Sequence, residues 1–456
     1  MNSAGAASKL KTAGAATVTN NDRVTVVGAG LAGSEAAWQL LKRGIPVRLA
    51  EMRPACTTPA HVTAGFAELV CSNSLKAEHL TNASGLLKAE MKLFDSLILR
   101  AAEQARVPAG GALAVDRERF SAFITEALSS HPLCEVVRAR VDEIPDAPCV
   151  VATGPLTDGR LAEAIGRLPG MRALHFFDAE APIVTAESID MTRAFRASRY
   201  GRGEGDDYIN CPMTEAEYNA FYDALISAEL ADVHEFEKKL VFEGCLAVEI
   251  LAARGRMTLA FGPLKPVGLV DPRTGRQPFA VVQLRQDNAE GTLYNLVGFQ
   301  TRLKWGEQKR VFALIPGLEH AEFARYGVMH RNTYLDSPQV LAENYALKGN
   351  PLIRFAGQMT GVEGYVESAA SGMTAGIGLA MSLQGREEIH LSGQTVMGAL
   401  MRHTITQTAD FQPMNANFGI LDALGEKPRG GKKARYEKLS ERALQTMRET
   451  IEQYNP

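Results

Sequence analysis

The chain has 456 residues, 46% of them hydrophobic and 22% charged, with a formal net charge of -3; this is enough apolar material for a large core and enough length for two or more domains. No apolar run reaches the roughly 18 to 20 residues of a membrane span, and the Ala/Gly/Thr-rich start lacks the apolar centre of a secretory signal, so a cytoplasmic protein without a membrane association is expected. The small net charge argues against a globally basic nucleic-acid binder such as a DNA-coating protein, leaving a local basic face open, and the six cysteines (Cys56, Cys71, Cys134, Cys149, Cys211 and Cys245) contain no C-x-x-C pair that would point to a zinc site or redox dithiol, so no metal is expected.

In chain order, residues 1–22 read as a disordered arm, and the apolar run Val24, Thr25, Val26, Val27 then starts the fold as a short buried strand. A helix over about 31–43 is closed by Gly44, and a second strand over 46–51 completes a β-α-β unit whose two strands should pair in parallel. Residues 149–155 read as another buried strand ending in a Gly turn, and 352–357 repeat that form far downstream. The stretch between differs in composition: an arginine series (Arg193, Arg196, Arg199, Arg202), a helix over about 214–227, and alternating strand patterns at 280–284 and 293–299. The expectation is an α/β protein with a Rossmann-like FAD-binding domain formed by 23–190 and 330–425, an α+β domain inserted at 191–329, and a basic linker with a C-terminal helix at 426–456.

Gly28-Ala29-Gly30-Leu31-Ala32-Gly33 is a G-x-G-x-x-G turn placed between a strand and a helix. The first Gly permits the tight turn, the second lets the backbone approach a pyrophosphate, and the third allows close helix–strand packing. Glu51, at the end of the second strand, can accept from both ribose hydroxyls of an adenosine. NAD and FAD share this fingerprint. Two later features favour FAD: the strand and loop running into Gly357, Gln358 and Gly361, followed by a helix start that would stabilise negative charge on a reduced flavin, and the Ala152-Thr153-Gly154 turn. No second G-x-G-x-x-G occurs, so a pyridine-nucleotide reductant would bind only transiently.

The strings GAGLAGSEAA (28–37), AELVCSNS (67–74), PAGGALAVDR (108–117), FEGC (242–245) and GQMTGVEGY (357–365) resemble the folate- and FAD-dependent tRNA (uracil-5-)-methyltransferases, relatives of the flavoproteins that modify the tRNA wobble uridine. The resemblance implies methylation of the T-loop uridine of tRNA at C5, with the carbon from 5,10-methylenetetrahydrofolate, reduction by FAD, and NAD(P)H as the electron source. It implies no obligatory protein partner and no DNA substrate. Uracil C5 is a poor nucleophile until a thiolate adds at C6, and a base must then take the C5 proton. By motif, Cys245 is the implied nucleophile and Cys71 the base on the flavin side, with Cys211 assigned to structure. His330 and Glu363 are candidates for holding the folate, whose pteridine presents paired donors that a carboxylate can accept. The arginine series and the basic residues Lys432, Lys433 and Arg435 are candidates for phosphate contact. The same chemistry on a ribosomal RNA uridine, a wobble-uridine modifier working with a partner protein, and a small-molecule flavin oxidoreductase are the alternative readings.

Overall fold

The computed structural model describes residues 23–171, 173–203, 205–231, 246–408, 411–425 and 428–456; the side chains of 173–179 and 329–331 lie outside that description. Val24–Val27 and Val47–Ala50 pair in parallel on either side of the helix Leu31–Lys42. Their sheet runs in the order Ala346–Leu347, Asn350–Phe355, Cys149–Val151, Val24–Val27, Val47–Ala50, Cys134–Val137, with only the first pair antiparallel. Residues from the two ends of the chain therefore share one sheet, because Asn350–Phe355 adds to the far side of Cys149–Val151. Val24, Val26 and Val47 are almost wholly buried, as expected for parallel strands covered on both faces.

One cover is a helix pair of unusual closeness. A Cβ on Gly372 would lie 2.0 Å from the Ala32 carbonyl oxygen, and one on Gly376 would lie 2.7 Å from that of Ala36. The long helix Tyr365–Leu383 thus rests backbone to backbone on Leu31–Lys42, and its small residues, Gly372 and Gly376 among them, are what permit it.

A second, antiparallel sheet has the order Phe195–Arg196, Tyr208–Met213, Ala280–Gln286, Leu293–Leu296, Ile183–Thr185, Phe323–Arg325. It already includes Ile183–Thr185, upstream of residue 191 where the sequence pattern changes. Its apolar face packs on the helix Glu215–Ile226, which buries Tyr218, Phe221, Tyr222 and Leu225 at helical spacing. Thr214 starts that helix with a reciprocal capping box to Glu217. The antiparallel ribbon of Ala173–Ala179 with Met329–Leu335 joins this sheet to the parallel one. No described helix is long and apolar enough to cross a membrane.

Candidate active site

The glycine turn opens onto a cleft of about 1350 Å³ measured out to its solvent mouth. Its three glycines do different work. Gly28 has φ +93° and sits where a Cβ would be 2.6 Å from the Ala152 carbonyl oxygen, and a Cβ on Gly33 would be 1.8 Å from the Gly28 oxygen. Gly30 has nothing within 4 Å of its Cβ position and lines the cleft. Two glycines are thus demanded by packing, and the third keeps space clear beside the first turn of Leu31–Lys42, where no acidic side chain competes for the amides. Such a helix start is suited to a diphosphate.

Glu51 lines the same cleft and is 5% exposed. Its Oε2 accepts from the Ala29 amide at 2.9 Å, and its Oε1 accepts from the Arg53 amide at 3.0 Å and Arg53 Nε at 2.8 Å. Burial raises its pKa, but the Arg53 hydrogen bond and charge with the two amides outweigh it and hold the carboxyl below the usual carboxylate range. Oε2 takes a single bond, which leaves acceptor capacity for a ribose hydroxyl. Arg53 also reaches Glu68 at 2.9 Å, and Glu68 in turn accepts from the Val62 and Thr63 amides. This buried Glu–Arg–Glu chain ties the loop containing Thr58 and His61 to the cleft that those residues line.

Cys71 is half-buried and lines the cleft. Three distant elements hold its loop. The Tyr365 hydroxyl, at the start of the long helix, accepts from the amides of Cys71 at 2.7 Å and Ser72 at 3.1 Å. Arg285, from the antiparallel sheet, donates to Ser72 Oγ at 2.8 Å and Asn73 Oδ1 at 2.9 Å. Arg117 donates to the Leu69 carbonyl and pairs with Asp287 at 3.0 Å. Burial pushes the Tyr365 phenol up, so it sits there neutral. Both guanidiniums interact electrostatically with Cys71 and complement a negatively charged sulfur. By contrast, burial drives the thiols of Cys149 and Cys211 up to about 12, which makes them inert packing groups in their strands.

Of the residues expected at the cofactor, Gly28, Gly30, Leu31, Ala32, Glu51, Gly357 and Gln358 line this one cleft with Cys71. Ala29 stands behind it with its amide turned to Glu51, and Gly33 is used in packing. Gly361 faces away, its Cβ position 2.4 Å from the Phe411 ring. Glu363 also lies behind the wall: its carboxylate accepts from the Gln358 amide nitrogen at 2.5 Å, and Gln358 is the one that reaches the cleft. The His330 backbone pairs with Asp178 in the joining ribbon, and its side chain lies outside the description. Cys245 lies outside the described residues altogether. Most of the arginine series is engaged internally: Arg193 pairs with Glu217 and Glu319, Arg196 donates to the Tyr294 hydroxyl, and Arg199 donates to Gln283 and the Val267 carbonyl. Arg53, Arg117, Arg285 and Tyr365 were given no role in the sequence, although Arg53 lies two residues after Glu51 and Arg117 and Tyr365 close the strings 108–117 and 357–365.

A family model described as glucose inhibited division protein A matches residues 23–387. A methylenetetrahydrofolate--tRNA-(uracil-5-)-methyltransferase TrmFO from Desulforamulus reducens is 60% identical over 432 residues, covering 94% of this chain and 98% of the relative. The TrmFO of Acetivibrio thermocellus is 57% identical over 436 residues, covering 95% of this chain and all of the relative. The chain belongs to this TrmFO family. Among solved structures, Aquifex aeolicus GidA in its form I crystal aligns with a TM-score of 0.68 at 15% identity, over 95% of this chain and 77% of that one. That likeness establishes the shared Rossmann-like FAD-binding α/β fold.

Proposed function

We propose that the chain methylates C5 of the T-loop uridine of tRNA, in the cytoplasm and without a second protein, using 5,10-methylenetetrahydrofolate as the one-carbon donor and NAD(P)H as the reductant. The carrying observation is Cys71: a thiol on the wall of a dinucleotide-shaped cleft, in a loop fixed by groups from the long helix and the antiparallel sheet. FAD fits that cleft. The Gly30 gap and the amides of the following helix suit its diphosphate, Glu51 its ribose, and Gly357, Gln358 and the start of the long helix its isoalloxazine. When bound, FAD supplies the hydride that completes the methyl group.

The residues of the chain do the rest. Cys245 adds as thiolate to C6 of uracil, and the resulting enolate attacks the methylene carbon of the folate through C5. Cys71 then takes the C5 proton as the folate amine departs, and once the methyl group is complete Cys245 leaves C6 as thiolate, restoring the C5–C6 double bond and freeing the RNA. Tyr365 and Arg285 act as positioning residues for Cys71, because a displaced base loses rate steeply. Gln358, oriented by Glu363, meets the pteridine, and His330 is the second folate contact.

The donor decides the reading. Purified protein given reductant and a tRNA transcript should incorporate label from methylenetetrahydrofolate and none from S-adenosylmethionine, with loss of incorporation when the T-loop uridine is replaced by cytidine. Incorporation only from S-adenosylmethionine would overturn the proposal, and methylation of a ribosomal RNA fragment in place of tRNA would replace the substrate.

A further inference from the structure

Away from the cleft, the described residues of the antiparallel half leave three large aromatic side chains exposed, Tyr200, Phe261 and Trp305, and of these Trp305 ends a stack of parallel rings. Trp305 begins the helix Trp305–Phe312 and is 62% exposed. An indole left in water forgoes the burial that aromatic side chains normally gain. It is nevertheless held in place: its ring stacks on Tyr326 at 5.4 Å and 13°, and Tyr326 stacks on Phe323 at 4.9 Å and 13°, with Phe323 packed against the core of that half. The three rings form a ladder with Trp305 at its solvent end.

The position of the ladder matters as much as its shape. Arg325, next to Tyr326, pairs with Glu180 at 2.5 Å and donates to the Ala60 carbonyl, and both partners line the cleft. On the other side, the residues just before Trp305 anchor both ends of the segment that bears Cys245. The Ala231 amide donates to the Arg302 carbonyl at 2.8 Å, Leu230 bridges to Leu303, and the Val248 amide donates to the Gln300 carbonyl at 2.7 Å. Lys304, next to the indole in sequence, and Arg310, further along the same helix, have half-exposed side chains. Their acidic partners are surface groups, and such pairs exchange readily for phosphates.

We propose that Trp305 is a stacking platform for an unpaired nucleobase of the RNA substrate, one that flanks the target uridine. The inference rests on the tRNA methyltransferase reading and adds a contact to it. Every base has a π face, so a rigid aromatic ladder beside the cleft rim grips a looped strand without reading its sequence. Its parallel rings pre-set the geometry and reduce what binding must order.

The chain has two tryptophans, and the other, Trp38, donates to the Asp95 carbonyl beneath the nucleotide-binding half. A Trp38→Phe variant therefore makes Trp305 the sole indole reporter. Titration with a T-arm RNA hairpin should quench its emission saturably. Trp305→Ala should weaken RNA affinity by about tenfold or more with flavin content and melting temperature unchanged, and Trp305→Phe should recover most of the loss. Unmoved emission, or wild-type affinity in Trp305→Ala, overturns the platform. Loss of a dimer in sedimentation with RNA affinity unchanged does the same, since the ladder would then serve a second copy of the chain. Methylation of the same RNA by the wild-type protein separates the levels: if it persists while Trp305→Ala binds normally, only the platform falls, and if wild-type protein neither binds nor methylates RNA, both readings fall.

Discussion

The walls of the nucleotide cleft and the groups that reach it from the antiparallel sheet are built differently. The diphosphate end of the first is largely backbone of one β-α-β unit, locked by contacts such as Gly33 against the Gly28 oxygen and Glu51 against the Ala29 amide. The second are long side chains acting across the whole fold: Arg285 meets Asn73 over 212 positions of sequence. A backbone-built wall is a preformed surface, whereas the Cys71 loop is set by side chains that arrive from elsewhere in the fold.

The largest expected effect comes from breaking the preformed wall. Gly33→Val puts side-chain atoms into the Gly28 carbonyl, where backbone blocks any escape, and should yield no folded protein by circular dichroism. Gly30→Ala meets no atom of the chain, so it should melt like wild type while losing most of its bound flavin, measured by absorbance after gel filtration. Retained flavin in Gly30→Ala would remove Gly30 from the diphosphate site.

Next comes the link between the two halves. Arg285→Ala leaves Ser72 and Asn73 without their donor and frees the Cys71 loop on one side. Turnover should fall by about a hundredfold, flavin content should hold, and Arg285→Lys should restore part of the rate. A matching loss of flavin would show that Arg285 supports the cleft as a whole.

A smaller effect is a slope with pH that belongs to the nucleotide-binding half. Burial lowers the pKa of Lys88, whose ammonium donates to the Leu75 carbonyl, from 10.5 to about 8. Between those values the unfolded chain binds the proton and the folded one does not, so this residue makes stability rise with pH across that window. Lys88→Met should flatten the rise in denaturant titrations at pH 8 and pH 10; an unchanged slope would mean the amine stays charged in the fold.

What could be read from the sequence follows the same division. The glycine turn, Glu51 and the strand running to Gly357 were legible because their chemistry lies within one β-α-β unit or at one strand end. Cys71 was legible by motif, yet its support was not: Tyr365 reaches it over 294 positions, and nothing local marks a tyrosine as the acceptor for two amides. The arginine series stood out by composition, but the sequence could not show the carboxylates that Arg193 finds on other elements. The bond from Gln358 to Glu363 was equally beyond the sequence, since nothing local marks that pair as partners.

The division of labour between the two cysteines is the centre of the account, and a 5-fluorouridine T-arm RNA tests it directly. With methylenetetrahydrofolate and reductant present, wild-type protein and Cys71→Ala should form a covalent protein–RNA adduct on denaturing gels, and Cys245→Ala should form none. An adduct that persists in Cys245→Ala and disappears in Cys71→Ala would reverse the roles and contradict the account.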